Sequence, residues 1–174
     1  LLIDLSASIA EVMDSKAQFI QEDAVRPQIL KESDVIISDL PVGFYPNDEI
    51  AKRYKVASSD EHTYAHHLLM EQSLKYLKKD GIAVFLAPVS LLTSKQSDLL
   101  KAWLKDYADV IAVITLPESI FGNAANAKSI FVLKKQAEHT PETFVYPLAD
   151  LQSREALTDF IEKFKKWNVE NMIF

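Results

Sequence analysis

Two apolar patterns alternate along this chain. The first recurs at helical spacing. In residues 5–13 (LSASIAEVM), Leu5, Ile9 and Val12 share one face and predict a short helix. Ser58 and Glu61 have the spacing of a capping box, which predicts a long helix running to Lys78, with Asp80-Gly81 closing it. Residues 94–107 predict a helix with Leu99, Leu100, Trp103 and Leu104 on its apolar side, and residues 151–167 predict an amphipathic helix carrying Phe160, Phe164 and Trp167. The second pattern is a short, continuous apolar run, found at 17–20 (AQFI), 35–38, 82–87 (IAVFLA), 110–115 (VIAVIT) and 129–133 (SIFVL). Such runs are too short for helices, and those that do not alternate predict strands covered on both faces. Pro88 and Leu116-Pro117 end two of them, and residues 48–59 are polar and read as irregular. There is no internal repeat and no low-complexity linker.

Strands alternating with helices predict an α/β fold: a mostly parallel sheet with helices on both faces. Ligands of such sheets sit beyond the C-terminal ends of the strands. Attention therefore falls on the loops after Ile20, Ser38 and Ala87. The loop after Ser38 is unusual. It runs Asp39-Leu40-Pro41-Val42-Gly43-Phe44-Tyr45-Pro46, a carboxylate followed by two prolines and two adjacent aromatic rings.

Glycine narrows the reading. Gly43, Gly81 and Gly122 are the only three, and no two are close enough for a G-x-G loop. A doubly wound domain that binds a nucleotide-like cofactor uses such a loop after its first strand, where glycine lets backbone approach the ligand. This is therefore not a complete dinucleotide-binding or P-loop domain. The sheet is expected to be incomplete on its N-terminal side, with a glycine loop upstream of Leu1. The opening Leu1-Leu2-Ile3-Asp4, without Met, fits a piece of something longer.

With 174 residues the chain makes one ordinary domain. Its net charge of −6 argues against nonspecific coating of nucleic acid, though not against a local basic patch. There is no cysteine, which rules out disulfides and thiolate metal sites. No apolar run approaches the roughly 20 residues that cross a bilayer, and no secretory signal is present. A cytoplasmic location and no membrane partner are the expectation.

Residues 34–45 (DVIISDLPVGFY) resemble the fourth motif of amino-group DNA methyltransferases, Asn or Asp, Pro, Pro, then an aromatic ring. The aligned residues are Asp39, Leu40, Pro41 and Val42. Residues 64–85 (YAHHLLMEQSLKYLKKDGIAVF) and 112–135 (AVITLPESIFGNAANAKSIFVLKK) are similar to later helices and strands of the same family. The match is with a bacterial, adenine-specific (N6) branch of the class I S-adenosylmethionine (SAM)-dependent methyltransferases, in which SDLPVG replaces the double proline. It covers about residues 1–135. It implies that 1–174 is the C-terminal part of one methyltransferase domain, with about 136–174 a C-terminal extension bearing a packing helix.

The resemblance implies SAM as cofactor and DNA adenine as substrate of the parent protein, with no metal. Asp39 and the Leu40 carbonyl would accept the two hydrogens of the adenine amine. Pro41 would fix the turn by setting φ. Val42 stands where the family has a ring, so Phe44 or Tyr45 is expected to stack on a flipped base. Asp23, with Ala24 beside it, matches the position that binds the adenine end of SAM; the local reading of Asp23 is a helix N-cap before Arg26-Pro27. In the family the first two strands separate the third from the fourth. Residues 17–20 would then lack neighbours here, and are expected to pair with a second copy of the chain, detach or be poorly ordered.

Other candidates read more plainly. His62 and His66 share a helical face, but no third ligand is evident, so capping or packing is preferred to metal. Lys128, Lys134 and Lys135 could face phosphate, though lysines flanking an edge strand more often prevent aggregation. Residues 121–129 form a polar loop that could border the cleft. A drifted, noncatalytic nucleic-acid-binding or scaffold protein is the alternative, as is a methyltransferase acting on RNA, protein or a small molecule.

Overall fold

A computed structural model describes residues 2–27, 30–135 and 142–173. In chain order the elements are α1 (Leu2–Val12), β1 (Ser33–Asp39), α2 (Asp48–Ala51), α3 (Ala65–Tyr76), β2 (Leu77–Pro88), α4 (Ser97–Tyr107), β3 (Ala108–Thr115), β4 (Lys128–Lys135), β5 (Phe144–Pro147) and α5 (Arg154–Asn171). One five-stranded sheet has the order β1-β2-β4-β3-β5. β1 runs parallel to β2 and β5 parallel to β3, whereas β4 is antiparallel to both its neighbours. Four strands therefore share one direction, and the expected mostly parallel sheet is present.

The unbroken apolar run of β2 has its explanation in the layers. Ala83, Phe85 and Ala87 face a core built with Leu68, Met70 and Leu74 of α3 and Leu100 and Leu104 of α4. Ile82, Val84 and Leu86 face the other way, toward Phe160, Phe164 and Trp167 of α5. Both faces are covered, so alternation disappears.

Several boundaries differ from the sequence reading. Residues 17–20 form no strand, and Phe19 and Ile20 are exposed. α1 forms as expected, but none of its residues is buried. The long helix starts at Ala65, not at the Ser58–Glu61 capping box, and its N-cap Tyr64 makes no side-chain cap bond. Glu61 is instead engaged by Gln96 at 3.2 Å and Lys95 at 3.1 Å. The helix also ends early, at Tyr76. Asp80-Gly81 lies inside β2, where Ser33 pairs with Leu77 and Val35 already with Ile82, so residues 78–81 bow out of the ladder. Asp80 takes φ +61° there. Leu99 is 42% exposed, whereas Leu100, Trp103 and Leu104 are buried.

Residues 48–51, read as irregular, make one helical turn capped by the Asn47 side chain. β5 has no counterpart in the apolar runs of the sequence. Lys134 and Lys135 do not flank an edge strand, because β4 lies inside the sheet. Lys134 donates to the Ile173 carbonyl at 3.0 Å. Lys135 donates to the carbonyls of Lys75 and Leu77, closing the C-terminal end of α3 as a cation does best. Among the described residues no helix is long and apolar enough to cross a membrane.

Candidate active site

The rim of the sheet is assembled by strand direction. β1 and β2 end there, at Asp39 and Pro88, and the antiparallel β4 begins there, with Lys128 opposite Pro88. The Leu40 amide continues the ladder by donating to the Leu86 carbonyl at 2.9 Å. Leu40 is fully buried, and this anchors the turn while Pro41 and Val42 remain exposed. The Leu40 carbonyl accepts a hydrogen bond from Lys128 Nζ at 2.9 Å. The same Nζ donates to Asp39 Oδ1 and forms an ion pair with it. The Lys128 side chain is only 14% exposed, that of Asp39 66%. The sequence reading placed Asp39 and the Leu40 carbonyl as the two acceptors of an amine. In the structure they converge on one nitrogen, supplied by the chain itself.

The loop beyond is strapped to the entry of α3. Tyr45 N donates to the Thr63 carbonyl at 2.8 Å and Ala65 N to the Gly43 carbonyl at 2.9 Å. Gly43 has φ +116°, a region side chains rarely adopt, which allows this close return. The strap separates the two rings. Phe44 is 52% exposed and stacks on Tyr64, with centroids 4.6 Å apart and planes 11° apart. Tyr64 in turn stacks on His66 at 5.0 Å. Tyr45 is buried, and its hydroxyl donates to Asp23 Oδ2 at 2.5 Å. Of the two expected rings, Phe44 is exposed and Tyr45 is buried.

Asp23 is held in place by its neighbours. Its Oδ1 accepts from Val25 N at 3.0 Å and its carbonyl accepts from Arg26 N at 2.9 Å, which makes a turn and not the expected helix N-cap, since residues 24–27 form no helix. Ala24 beside it is exposed. Two further residues pin this turn: Tyr54 donates to the Val25 carbonyl, and Gln72 donates to the Arg26 carbonyl at 2.7 Å. Burial and the Asp23 carboxylate push the Tyr45 phenol up to about 12.

The described histidines are divided between surface and interior. His62 is exposed and pairs with Asp48 at 2.9 Å. His66 and His67 are buried edge to face against one another at 4.8 Å. Burial holds both below the ordinary imidazole value, His66 at about 4 and His67 at about 3, so both are neutral near pH 7. Among the described residues no cluster of three or more His, Asp or Glu groups could hold a metal ion. Sequence reasoning missed the roles of Tyr64, His66 and Lys128. Only the antiparallel course of β4 brings Lys128 to the rim, and no local pattern encodes it.

The sheet and its covering helices match the fold of the class I methyltransferases. A crystal structure from Listeria monocytogenes, described as a class I S-adenosylmethionine-dependent methyltransferase, superposes with a TM-score of 0.86 at 29% identity, covering 95% of this chain and 52% of that one. A type I restriction-enzyme modification subunit from Vibrio vulnificus YJ016 shares the fold, with a TM-score of 0.66 at 15% identity over 83% of this chain and 34% of its own. The Bacillus subtilis (strain 168) protein YtxK, itself uncharacterised, is 37% identical over 169 residues, which is 95% of this chain and 51% of that protein. The chain thus spans about half the length of the Listeria and Bacillus relatives. The family model for N-6 DNA methylases matches residues 7–173, and the chain belongs to that family.

Proposed function

We propose that the parent protein is a SAM-dependent N-methyltransferase acting on the exocyclic amine of adenine in DNA, and that these residues form its amine-holding half. The observation that carries the reading is the convergence of Asp39 Oδ1 and the Leu40 carbonyl on a single nitrogen. The lone pair of an exocyclic adenine amine is delocalised into the ring. Two acceptors taking its two hydrogens favour a pyramidal nitrogen whose lone pair is free to attack. Asp39 would supply the charged acceptor and Leu40 the fixed backbone one. Catalysis would rest on this polarisation and on orientation. The exposed face of Phe44 would stack on a base swung out of the duplex.

Cofactor fit is partial. SAM would supply an electrophilic methyl group. The half-exposed Asp23 carboxylate, with Ala24, suits the adenine end of such a molecule. The three glycines are scattered, with no pair to cradle its other end. The 174 residues alone are therefore expected to bind SAM poorly. Calorimetric titration of SAM into the full-length protein, with this chain as control, tests the proposal. Binding to the longer protein, with N6-methyladenine appearing in DNA, supports it; absence of binding to either would sink it.

The second reading is a noncatalytic nucleic-acid-binding or scaffold protein, favoured by Val42 in place of the ring and by the lysine already resident between the acceptors. A methyltransferase on RNA, protein or a small molecule would use the same amine site. A contact between copies through residues 17–20 would require that segment to pair as a strand, and β1 and β5 are the edges of the sheet.

A further inference from the structure

We infer that Lys128 is an internal competitor for the amine site and thereby sets what the site accepts. The inference rests on the amine-site reading of Asp39 and Leu40. Lys128 Nζ makes two bonds that reading assigns to substrate, one to Asp39 and one to the Leu40 carbonyl. It does so from a side chain that is mostly buried, beginning a strand fixed on both sides by β2 and β3. Val89 N donating to the Ala127 carbonyl at 3.1 Å holds the residue just before it. The lysine is therefore a placed occupant rather than a passing surface chain.

An entering amine must expel it, and the number of N–H groups decides which ligands can. Ammonium has three, so it serves both acceptors with one to spare. A primary amine has two and can serve both. A methylated amine has one and leaves one acceptor, the charged or the backbone oxygen, unserved. Expelling Lys128 costs the same for any entering ligand; a primary amine, which makes both bonds again, offsets that cost fully, and a methylated amine only in part. The consequence is a threshold that unmethylated amines clear more readily than a methylated product does. The lysine stem stays anchored in β4 while the ammonium moves into solvent, as long cationic side chains readily do.

The test uses the full-length protein with 2′-deoxyadenosine and N6-methyl-2′-deoxyadenosine as probes, their binding followed by NMR without cofactor. Removing the ammonium in Lys128→Met should tighten deoxyadenosine binding by about tenfold or more, the order expected when one charge-assisted bond no longer has to be broken. The methylated probe should gain by about the same factor, since the same lysine must leave for either ligand, and should remain the weaker binder. Lys128→Arg, which keeps the donors, should behave like the native protein. A separate measurement reads the pair itself: in a pulse of amine-acylating reagent, Lys128 should label several-fold more slowly than the exposed Lys166, and Asp39→Ala should remove that protection. Equal probe affinity in the native protein and Lys128→Met would overturn the inference. So would unprotected Lys128 in the native protein. If Lys128 is protected but neither probe binds either protein, the amine-site reading itself fails and takes the inference with it.

Discussion

Tyr45 donates its phenol proton to Asp23 Oδ2 at 2.5 Å, across 22 positions of the chain. Its neighbour Phe44 turns the other way, its ring stacked on Tyr64 and half open to solvent. Two adjacent residues thus touch the two halves of the proposed site. The loop cannot shift at Phe44 without pulling on Asp23. Tyr45→Phe removes the bond and leaves the ring, so stability should fall by about 1 kcal/mol. In the full-length protein the KM for SAM should rise more than kcat falls, because the lost bond positions Asp23 and touches no reacting atom. The folded phenol titrates near 12, above its ordinary value of 10. Its contribution to stability is complete below pH 10 and is lost as pH rises from there toward 12. Burial raises Tyr54 and the Asp159 hydrogen bond raises Tyr146 as well, so tyrosinate absorbance should show several tyrosines titrating late, and Tyr45→Phe should remove one tyrosine's share of that late change.

The two buried histidines make acid sensitivity the next expectation. Their folded values, about 4 and about 3, lie below the ordinary 6.5, because burial disfavours the imidazolium. The unfolded chain therefore binds protons first as pH falls. The stability they confer is complete above pH 6.5 and drains away between there and pH 3. A tenfold change in proton affinity corresponds to about 1.4 kcal/mol, so the pair accounts for a loss of several kcal/mol at most. Neither ring nitrogen of His67 makes a well-formed hydrogen bond, the Leu91 backbone offering only a weak one. Replacing it with Phe keeps an aromatic ring and removes a poorly served polar group. His67→Phe should be neutral or stabilising at pH 7 and should flatten the urea midpoint's fall between pH 6.5 and 4. An unchanged slope would show that other groups govern the acid transition.

What the sequence revealed and what it hid follow from the range of each interaction. The runs at 82–87, 110–115 and 129–133 announced β2 to β4 because burial on both faces leaves few polar positions; the run at 35–38 announced β1 too, but its expected burial on both faces is not found, since β1 is an edge strand with Val35 and Ile37 exposed. The Asp39 turn was legible because its chemistry is contiguous. Residues 17–20 looked like a strand, yet a strand needs a ladder partner, and among the described residues none pairs with them. β5 escaped notice because Phe144-Val145-Tyr146-Pro147 is short and alternates, with Val145 exposed. The capping box failed because Glu61 finds Gln96 and Lys95 across the fold, a competition invisible over four residues. Lys128 is the plainest case. Its neighbours in sequence say surface lysine, and only the direction of β4 brings it to Asp39 and the Leu40 carbonyl.

Gly81 offers a test of the fold alone. It is not needed for a left-handed turn, since the positive φ belongs to Asp80. It is needed for space. A Cβ at this position would lie 2.8 Å from Leu77 Cγ, 2.8 Å from the Lys78 carbonyl oxygen and 2.9 Å from the Asp34 carbonyl oxygen. Two of these are backbone atoms in the bowed segment and in β1, and they cannot swing aside. Gly81→Ala should therefore cost about 1–3 kcal/mol, the range for overpacking a fitted site. Loss of protection in hydrogen exchange should concentrate at the start of β2 and along β1, not in α5. Uniform loss across the sheet would contradict this local account.

Phe44 separates a stacking platform from a packing residue. Its ring covers Tyr64 on one side and is open on the other, whereas Tyr64 continues the column to His66. Truncating Phe44 to Ala removes a half-exposed side chain, so the fold should lose little, about 1 kcal/mol or less. A base stacked on the free face should lose far more, about 1–3 kcal/mol of binding by the usual measure of alanine substitution. DNA carrying 2-aminopurine at a target adenine reports the stack directly, since its emission rises on leaving the duplex and is quenched again on an aromatic ring. With full-length protein, Phe44→Ala should give the rise without the quenching, and Phe44→Trp should restore the quenching. Loss of all binding by Phe44→Ala at unchanged thermal stability would mean the ring anchors the ligand rather than lining its path. Unaltered emission in both variants would assign Phe44 to packing and leave the flat substrate without a platform in this half of the protein.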